Sequence, residues 1–240
     1  MTTNIRLITF DLDDTLWDMR PALEAAEKAQ WSYLRSRFPH LALEATTREE
    51  LATIRSTLLT QRPELAHHIS LFRETFIEQL LRIRGVPPDE SVAAARQAFA
   101  AFLSERHRVA VYDSAHSVLK TLASDFSLGA LTNGNADVRK TEIGQYFDYA
   151  WRAEEFGVSK PDPALFQQAF DEAGVEAREV IHVGDCHDND VEGAVAAGAL
   201  AIWFKPEGGF SDIAASVIGD LADLPEAVQK IVKRESGAQR

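Results

Sequence analysis

Hydrophobic residues in this chain fall into two patterns. IRLITF (5–10), SLGALT (127–132), EVIHVG (179–184) and ALAIWF (199–204) are short, largely apolar runs, the first of them rich in β-branched residues, the pattern of strands covered on both faces. VIGDL (217–221) predicts one more short strand. Elsewhere the apolar positions recur every three to four residues, predicting helices over 22–38, 48–61, 69–85 and 89–106, then over 114–126, 161–173, 190–198 and 225–234. Pro39, Pro63, Gly85, Pro87 and Pro88 separate the first four, where such residues stop helices. From Glu235 onward the chain is expected to fray.

The order of these elements sets the fold class. Apolar strands alternating with helices predict an α/β protein, a Rossmann-like parallel sheet core flanked by helices. The purely helical block follows the first strand, so it reads as an α-helical cap inserted there. The expected division is a core of 1–17 and 111–240 with a helical cap of 18–110. No internal repeat or low-complexity segment interrupts it.

Composition narrows the partners. At 240 residues, 45% apolar and 26% charged, the chain matches a soluble globular protein. A formal charge of −12 disfavours nucleic acid and anionic membrane surfaces as partners, while a few local cations still allow a small anionic substrate. The single Cys186 excludes an internal disulfide. No apolar stretch reaches the roughly 18–20 residues that span a bilayer, and Met-Thr-Thr-Asn does not begin a signal peptide. A cytoplasmic protein, monomer or homodimer, is expected.

Chemistry gathers where parallel strands end, because ligands of such sheets bind beyond their carboxyl ends. Asp11, Asp13 and Thr15 follow the first strand, Thr132, Asn133 and Gly134 the second, and Asp185 and Asp190 a later one, with Lys160 in the loop between. Carboxylates crowded at 4 Å repel by about 4 kcal/mol per pair at an effective dielectric near 20. A hard divalent cation relieves that repulsion, and oxygen-only ligands suit Mg²⁺ rather than Zn²⁺. Together with a lysine, it would neutralise a phosphate dianion enough for a carboxylate to approach. Thr132 and the backbone N–H groups of the TNGN turn can hold the remaining phosphoryl oxygens.

Four segments carry a family resemblance: FDLDDTL (10–16), Thr132 in ALTNGN, Lys160 in SKPDP, and VGDCHDNDVEGAVAAG (183–198). In this order they resemble the sequence motifs of the haloacid dehalogenase-like hydrolase superfamily, and the helical insertion resembles that family's cap. The resemblance implies that Asp11 is a nucleophile forming an aspartyl-phosphate and that Asp13 is the general acid and base. It implies that Lys160 orients Asp11. Mg²⁺ would be held by Asp11, the Asp13 carbonyl and Asp185, with Asp190 assisting through water. True 2-haloacid dehalogenases of the superfamily lack an acid at the position of Asp13, since a halide leaves without a proton; a phosphatase is therefore expected here. FDLDDTLWDMRP with LTNGNA further resembles a bacterial branch acting on flavin mononucleotide and on 5-amino-6-(5-phosphoribitylamino)uracil in riboflavin biosynthesis, which makes a small phosphorylated metabolite the expected partner. A dehalogenase or sugar phosphomutase on the same fold, and a non-catalytic binding protein, are the alternatives.

Other conspicuous residues have plainer readings. Asp14 and Asp18 suit solvated or capping positions. Cys186 and His187 are expected as a small thiol and a loop imidazole, Asp188 either at the metal region or at a helix start, and His67-His68 at a surface helix start. Trp17 is expected to pack at the junction of core and cap, with stacking on a flat substrate ring as the alternative. Arg20, Arg73 and Arg82 either reach a substrate or face water.

Overall fold

The computed structural model describes residues 4–237. They form two compact units: one contains the residues up to Asp18 and those from Ala110 onward, the other Met19–Val109.

The first unit is built on six strands: β1 (Leu7–Phe10), β2 (Ser127–Thr132), β3 (Tyr149–Arg152), β4 (Val180–Gly184), β5 (Leu200–Phe204) and β6 (Ser216–Ile218). All pair in parallel, in the order β3-β2-β1-β4-β5-β6. That order reverses direction beside β1, so β1 lies between β2 and β4 at the switch point where open α/β sheets bind ligands. Every residue of β1 and β4 is buried, which explains their largely apolar sequence, with Thr9 and His182 the polar exceptions. The sheet core includes Leu7, Leu131, Leu165, Phe166, Phe170 and Val180.

The sequence pattern misses β3. YAWR is a four-residue edge strand with three half-buried positions, too short and too mixed to stand out before it pairs with β2. The helix predicted over 114–126 ends at Leu122, and that predicted over 190–198 is a π-helical turn, His187–Glu192, followed by one α-turn, Gly193–Ala196. The C-terminal helix runs Leu224–Gly237, so residues 235–237 are helical where fraying was expected; the rest of that expectation, and the expectation drawn from residues 1–3, lie outside the described residues.

The second unit holds four helices: α1 (Met19–Arg37), α2 (Arg48–Gln61), α3 (Ile69–Ile83) and α4 (Pro88–Arg106). The buried residues of α1, Ala22, Ala26, Gln30 and Leu34, recur every four positions and form one stripe against α4. Ala26 packs on Phe99 and Phe102 of α4, so a small residue on one helix makes room for rings on the other. A reciprocal cap starts α2: Thr47 Oγ1 accepts the Glu50 N–H at 3.2 Å and Glu50 Oε2 accepts the Thr47 N–H at 3.0 Å. Among the described residues no helix is long and apolar enough to cross a membrane.

Candidate active site

A cavity of about 170 Å³ opens at the carboxyl ends of β1, β2 and β4. Every residue singled out from the sequence as catalytic, phosphate-binding or metal-ligating lines it: Asp11 and Asp13 from the β1 loop, Thr132, Asn133 and Gly134 from the β2 turn, Lys160, Asp185 and Asp190.

Lys160 is the electrostatic centre. Its Nζ donates to Asp11 Oδ1 at 2.7 Å and to Asp190 Oδ1 at 2.6 Å, and all three side chains are largely or wholly buried. Burial disfavours the ammonium charge, yet the two carboxylates outweigh it and hold Lys160 above the usual lysine range. Burial likewise opposes ionisation of Asp190, but Lys160 and His182 prevail and hold that carboxyl below the usual range. One cation does not satisfy both partners equally. Burial, aided by Asp190 and Asp13, pushes Asp11 up to about 8 against the pull of Lys160.

Asp185 lies beside them with a second deficit of positive charge. Burial, then Asp190 and Asp14, push its carboxyl up to about 6. Thr15, fully buried, donates its hydroxyl to Asp185 Oδ1 at 3.3 Å, and Trp203 Nε1 donates to the Asp185 carbonyl at 2.7 Å. Asp14, read from sequence as a bystander, therefore adds to the negative field at Asp185. Oxygens of Asp11, Asp185 and Asp190 all lie within 4.8 Å of one another. Two carboxyls whose ionisation is opposed by burial and by neighbouring carboxylates, in an oxygen-only group, fit a hard divalent cation, which would offset that opposition.

The β2 turn is tied to the Lys160 loop. Asn133 Nδ2 donates to the Lys160 carbonyl at 3.0 Å while its Oδ1 accepts the Lys160 N–H at 2.8 Å. Thr132 Oγ1 accepts the Gly134 N–H at 3.0 Å, which leaves the Thr132 hydroxyl proton directed elsewhere.

Two participants lie outside the four family motifs. His182 lies in the middle of β4, where its strand neighbour across the register is Thr9 of β1. The His182 Nδ1 meets Thr9 Oγ1 at 2.8 Å and its Nε2 meets Asp190 Oδ1 at 3.2 Å, with both side chains fully buried. Because the ionised Asp190 only accepts, the proton sits on Nε2 and Thr9 donates to Nδ1. Burial lowers the His182 pKa against the pull of Asp190, which keeps the ring neutral. The second is Trp17, wholly buried, whose Nε1 donates to Asp13 Oδ1 at 2.8 Å. Burial removes its ring face from any substrate, so the stacking alternative fails here.

Gly184 at the end of β4 explains how Asp190 comes so close: a Cβ there would overlap the Asp190 carboxyl. The Cys186 N–H donates to Asp190 Oδ2 at 3.0 Å. Asp188, on the same π-helical turn, faces outward with an 83% exposed side chain beside His187, which settles it away from Asp185. In the helical unit, Arg73 lies over the Phe102 ring at 3.8 Å and donates to Gln30, whereas Arg82 is exposed and pairs with Glu78 one turn away, as a water-facing helical arginine does.

The model of the haloacid dehalogenase-like hydrolases matches residues 5–198. The chain belongs to that family. Among characterised members, it is 36% identical to the 5-amino-6-(5-phospho-D-ribitylamino)uracil phosphatase YigB of Escherichia coli over 85% of both chains. It is 29% identical to a glyceraldehyde 3-phosphate phosphatase of Methanopyrus kandleri over 92% of both. A crystal structure described as a 2-haloacid dehalogenase from Pseudomonas syringae superposes with a TM-score of 0.90 at 40% identity, covering 95% of this chain and 99% of that one. The parallel six-stranded sheet is thus this hydrolase family's Rossmann-like core.

Proposed function

We propose that this hydrolase is a Mg²⁺-dependent phosphatase of small phosphorylated metabolites. The observation that carries the reading is the placement of Asp13, a second carboxyl, in one cavity with the Asp11–Lys160 pair. Asp11 attacks phosphorus and forms an aspartyl-phosphate as the bond to the leaving oxygen breaks. Asp13 gives that oxygen a proton, then takes one from the water that hydrolyses the intermediate. Lys160 holds Asp11 in place, and Thr132 with the N–H groups of the turn after β2 takes the phosphoryl oxygens. Asp11 and Asp185, with the Asp13 carbonyl and with Asp190 behind them, would hold Mg²⁺, which supplies charge neutralisation of the phosphate dianion.

The neighbour described as a dehalogenase favours a second reading on the same fold. Halide departure needs no proton donor, so a carboxyl at position 13 has no task in that reaction. For an alkoxide leaving group it has one, and the two phosphatase-named relatives point the same way.

Within phosphatases, the similarity to YigB supports a riboflavin-pathway phosphate or flavin mononucleotide as substrate. The charge of −12 supports a small metabolite as partner rather than nucleic acid or a membrane. The single cysteine goes with a cytoplasmic location, and the place of the helical unit after β1 goes with a role as cap. A phosphate-release panel with Mg²⁺, covering 5-amino-6-(5-phosphoribitylamino)uracil, flavin mononucleotide, nucleotides and sugar phosphates, tests this. Turnover abolished by EDTA and by Asp11→Asn is expected. Full activity in EDTA, or metal-free chloride release from a 2-haloacid, would overturn it.

A further inference from the structure

We infer that Trp17 is a positioning residue that decides which oxygen of Asp13 carries the catalytic proton. The inference rests on the phosphatase reading above and adds a residue outside the four family motifs.

The indole N–H of Trp17 donates to Asp13 Oδ1 at 2.8 Å. An indole nitrogen has no acceptor capacity, so this bond has one direction whatever the state of Asp13. Oδ1 already serves as an acceptor, and a protonated oxygen accepts less well, so this bond favours the acid's proton on Oδ2. Trp17 is itself held from several sides. Its ring is wholly buried, its carbonyl accepts the Asp14 N–H at 2.7 Å, and its backbone bridges to both Asp13 and Val111. A ring fixed in this way leaves the Asp13 carboxyl little torsional freedom, while Asp13 still lines the cavity that holds Asp11 and Lys160. The chemistry follows with its atoms balanced. As the Asp11–phosphorus bond forms and the phosphorus–oxygen bond to the leaving group breaks, that oxygen keeps the bonding pair and takes the proton from Asp13 Oδ2. In the second step the same oxygen recovers a proton from the attacking water while the Asp11–phosphorus bond breaks. Trp17 acts through Asp13 and touches no reacting atom.

A leaving-group comparison separates this role from a merely structural one. p-Nitrophenolate departs without protonation, whereas the alkoxide of glycerol 1-phosphate needs it. The quantity read is kcat/KM for both esters with Mg²⁺, which reports the steps through the first phosphoryl transfer. Trp17→Phe keeps an aromatic ring but removes the donor. It should lower kcat/KM for glycerol 1-phosphate at least about tenfold more than for p-nitrophenyl phosphate, a part of the 10²–10⁴-fold that a positioned acid contributes. In an Asp13→Asn background the same substitution should add no further separation between the two esters. Should Trp17→Phe not fold, as judged by circular dichroism, Trp17→Met equally lacks the donor, adapts to a core, and is read the same way. Equal losses on both esters would overturn the inference while leaving the phosphatase reading intact. Wild-type protein that releases phosphate from neither ester nor from the metabolite panel would instead overturn the phosphatase reading.

Discussion

His182 and Asp190 meet at 3.2 Å beneath the cavity floor, a neutral imidazole donating to a buried carboxylate that also holds Lys160. Behind the ring, Thr9 supplies the hydrogen bond at Nδ1, and Phe166 stands edge-on to it with ring centroids 5.1 Å apart. A chain of hydrogen bonds thus runs from the interior of the sheet to Asp11.

Breaking that chain at its middle should be costly. His182→Leu leaves Asp190 short of a donor and Thr9 without its acceptor. A loss on the order of 1–3 kcal/mol is expected from chemical denaturation, with Thr9→Val milder at about 0.5–1.5 kcal/mol. The pH dependence has a definite sign. Folding depresses the His182 pKa, so the unfolded chain binds more protons just below pH 6.5 and stability falls as pH drops there. Denaturation curves of His182→Leu should lack this component, and an unchanged acid limb would count against the assignment.

Removing the central cation should cost both fold and function. Lys160→Met leaves Asp11 and Asp190 buried without their shared ammonium, for which a loss of about 3–5 kcal/mol is typical. Adding Asp190→Asn should recover part of the thermal stability and none of the turnover, which differential scanning fluorimetry and phosphate release would read side by side.

Metal and protons should compete at Asp185. Its carboxyl is raised in the fold from 3.8 to about 6, so its contribution to stability is present below pH 3.8 and lost as pH rises through about 6. A divalent cation takes over the protons' role above that range. The rise in Tm on adding Mg²⁺ should therefore be larger at roughly pH 7.5 than at roughly pH 5, and Asp185→Asn should flatten the difference. Equal shifts at both pH values would count against Asp185 as a ligand.

Gly184→Ala tests the close approach at the end of β4. The added methyl has no room beside the Asp190 carboxyl, so Asp190 must move from Lys160. A loss of about 1–3 kcal/mol is expected, accompanied by a fall in kcat larger than that in thermal stability would explain.

What the sequence determines is whatever depends on neighbours along the chain. The strands ending at Phe10, Thr132, Gly184 and Phe204, and helices α1 to α4, are legible because buried strands and helix stripes impose their periods locally. Asp11, Asp13, Lys160 and Asp185 are legible because the chemistry demands those groups at the ends of such strands. Other relationships belong to the tertiary structure. YAWR becomes a strand by pairing with β2. His182 reads as one polar residue in an apolar run until the register of β1 against β4 sets Thr9 beside it, 173 positions away. Asp190 reads from sequence as a metal-side residue while Asp188 stays between two readings, and a π-helical turn sends Asp188 to solvent and Asp190 onto Lys160. Trp17 reads as a ring for the core or the substrate; the ring is buried, and its N–H, which the sequence does not place, also holds Asp13. The physical reason is common to all of them: a buried polar group must find its partner in space, and strand order, rather than separation along the chain, decides which partner that is.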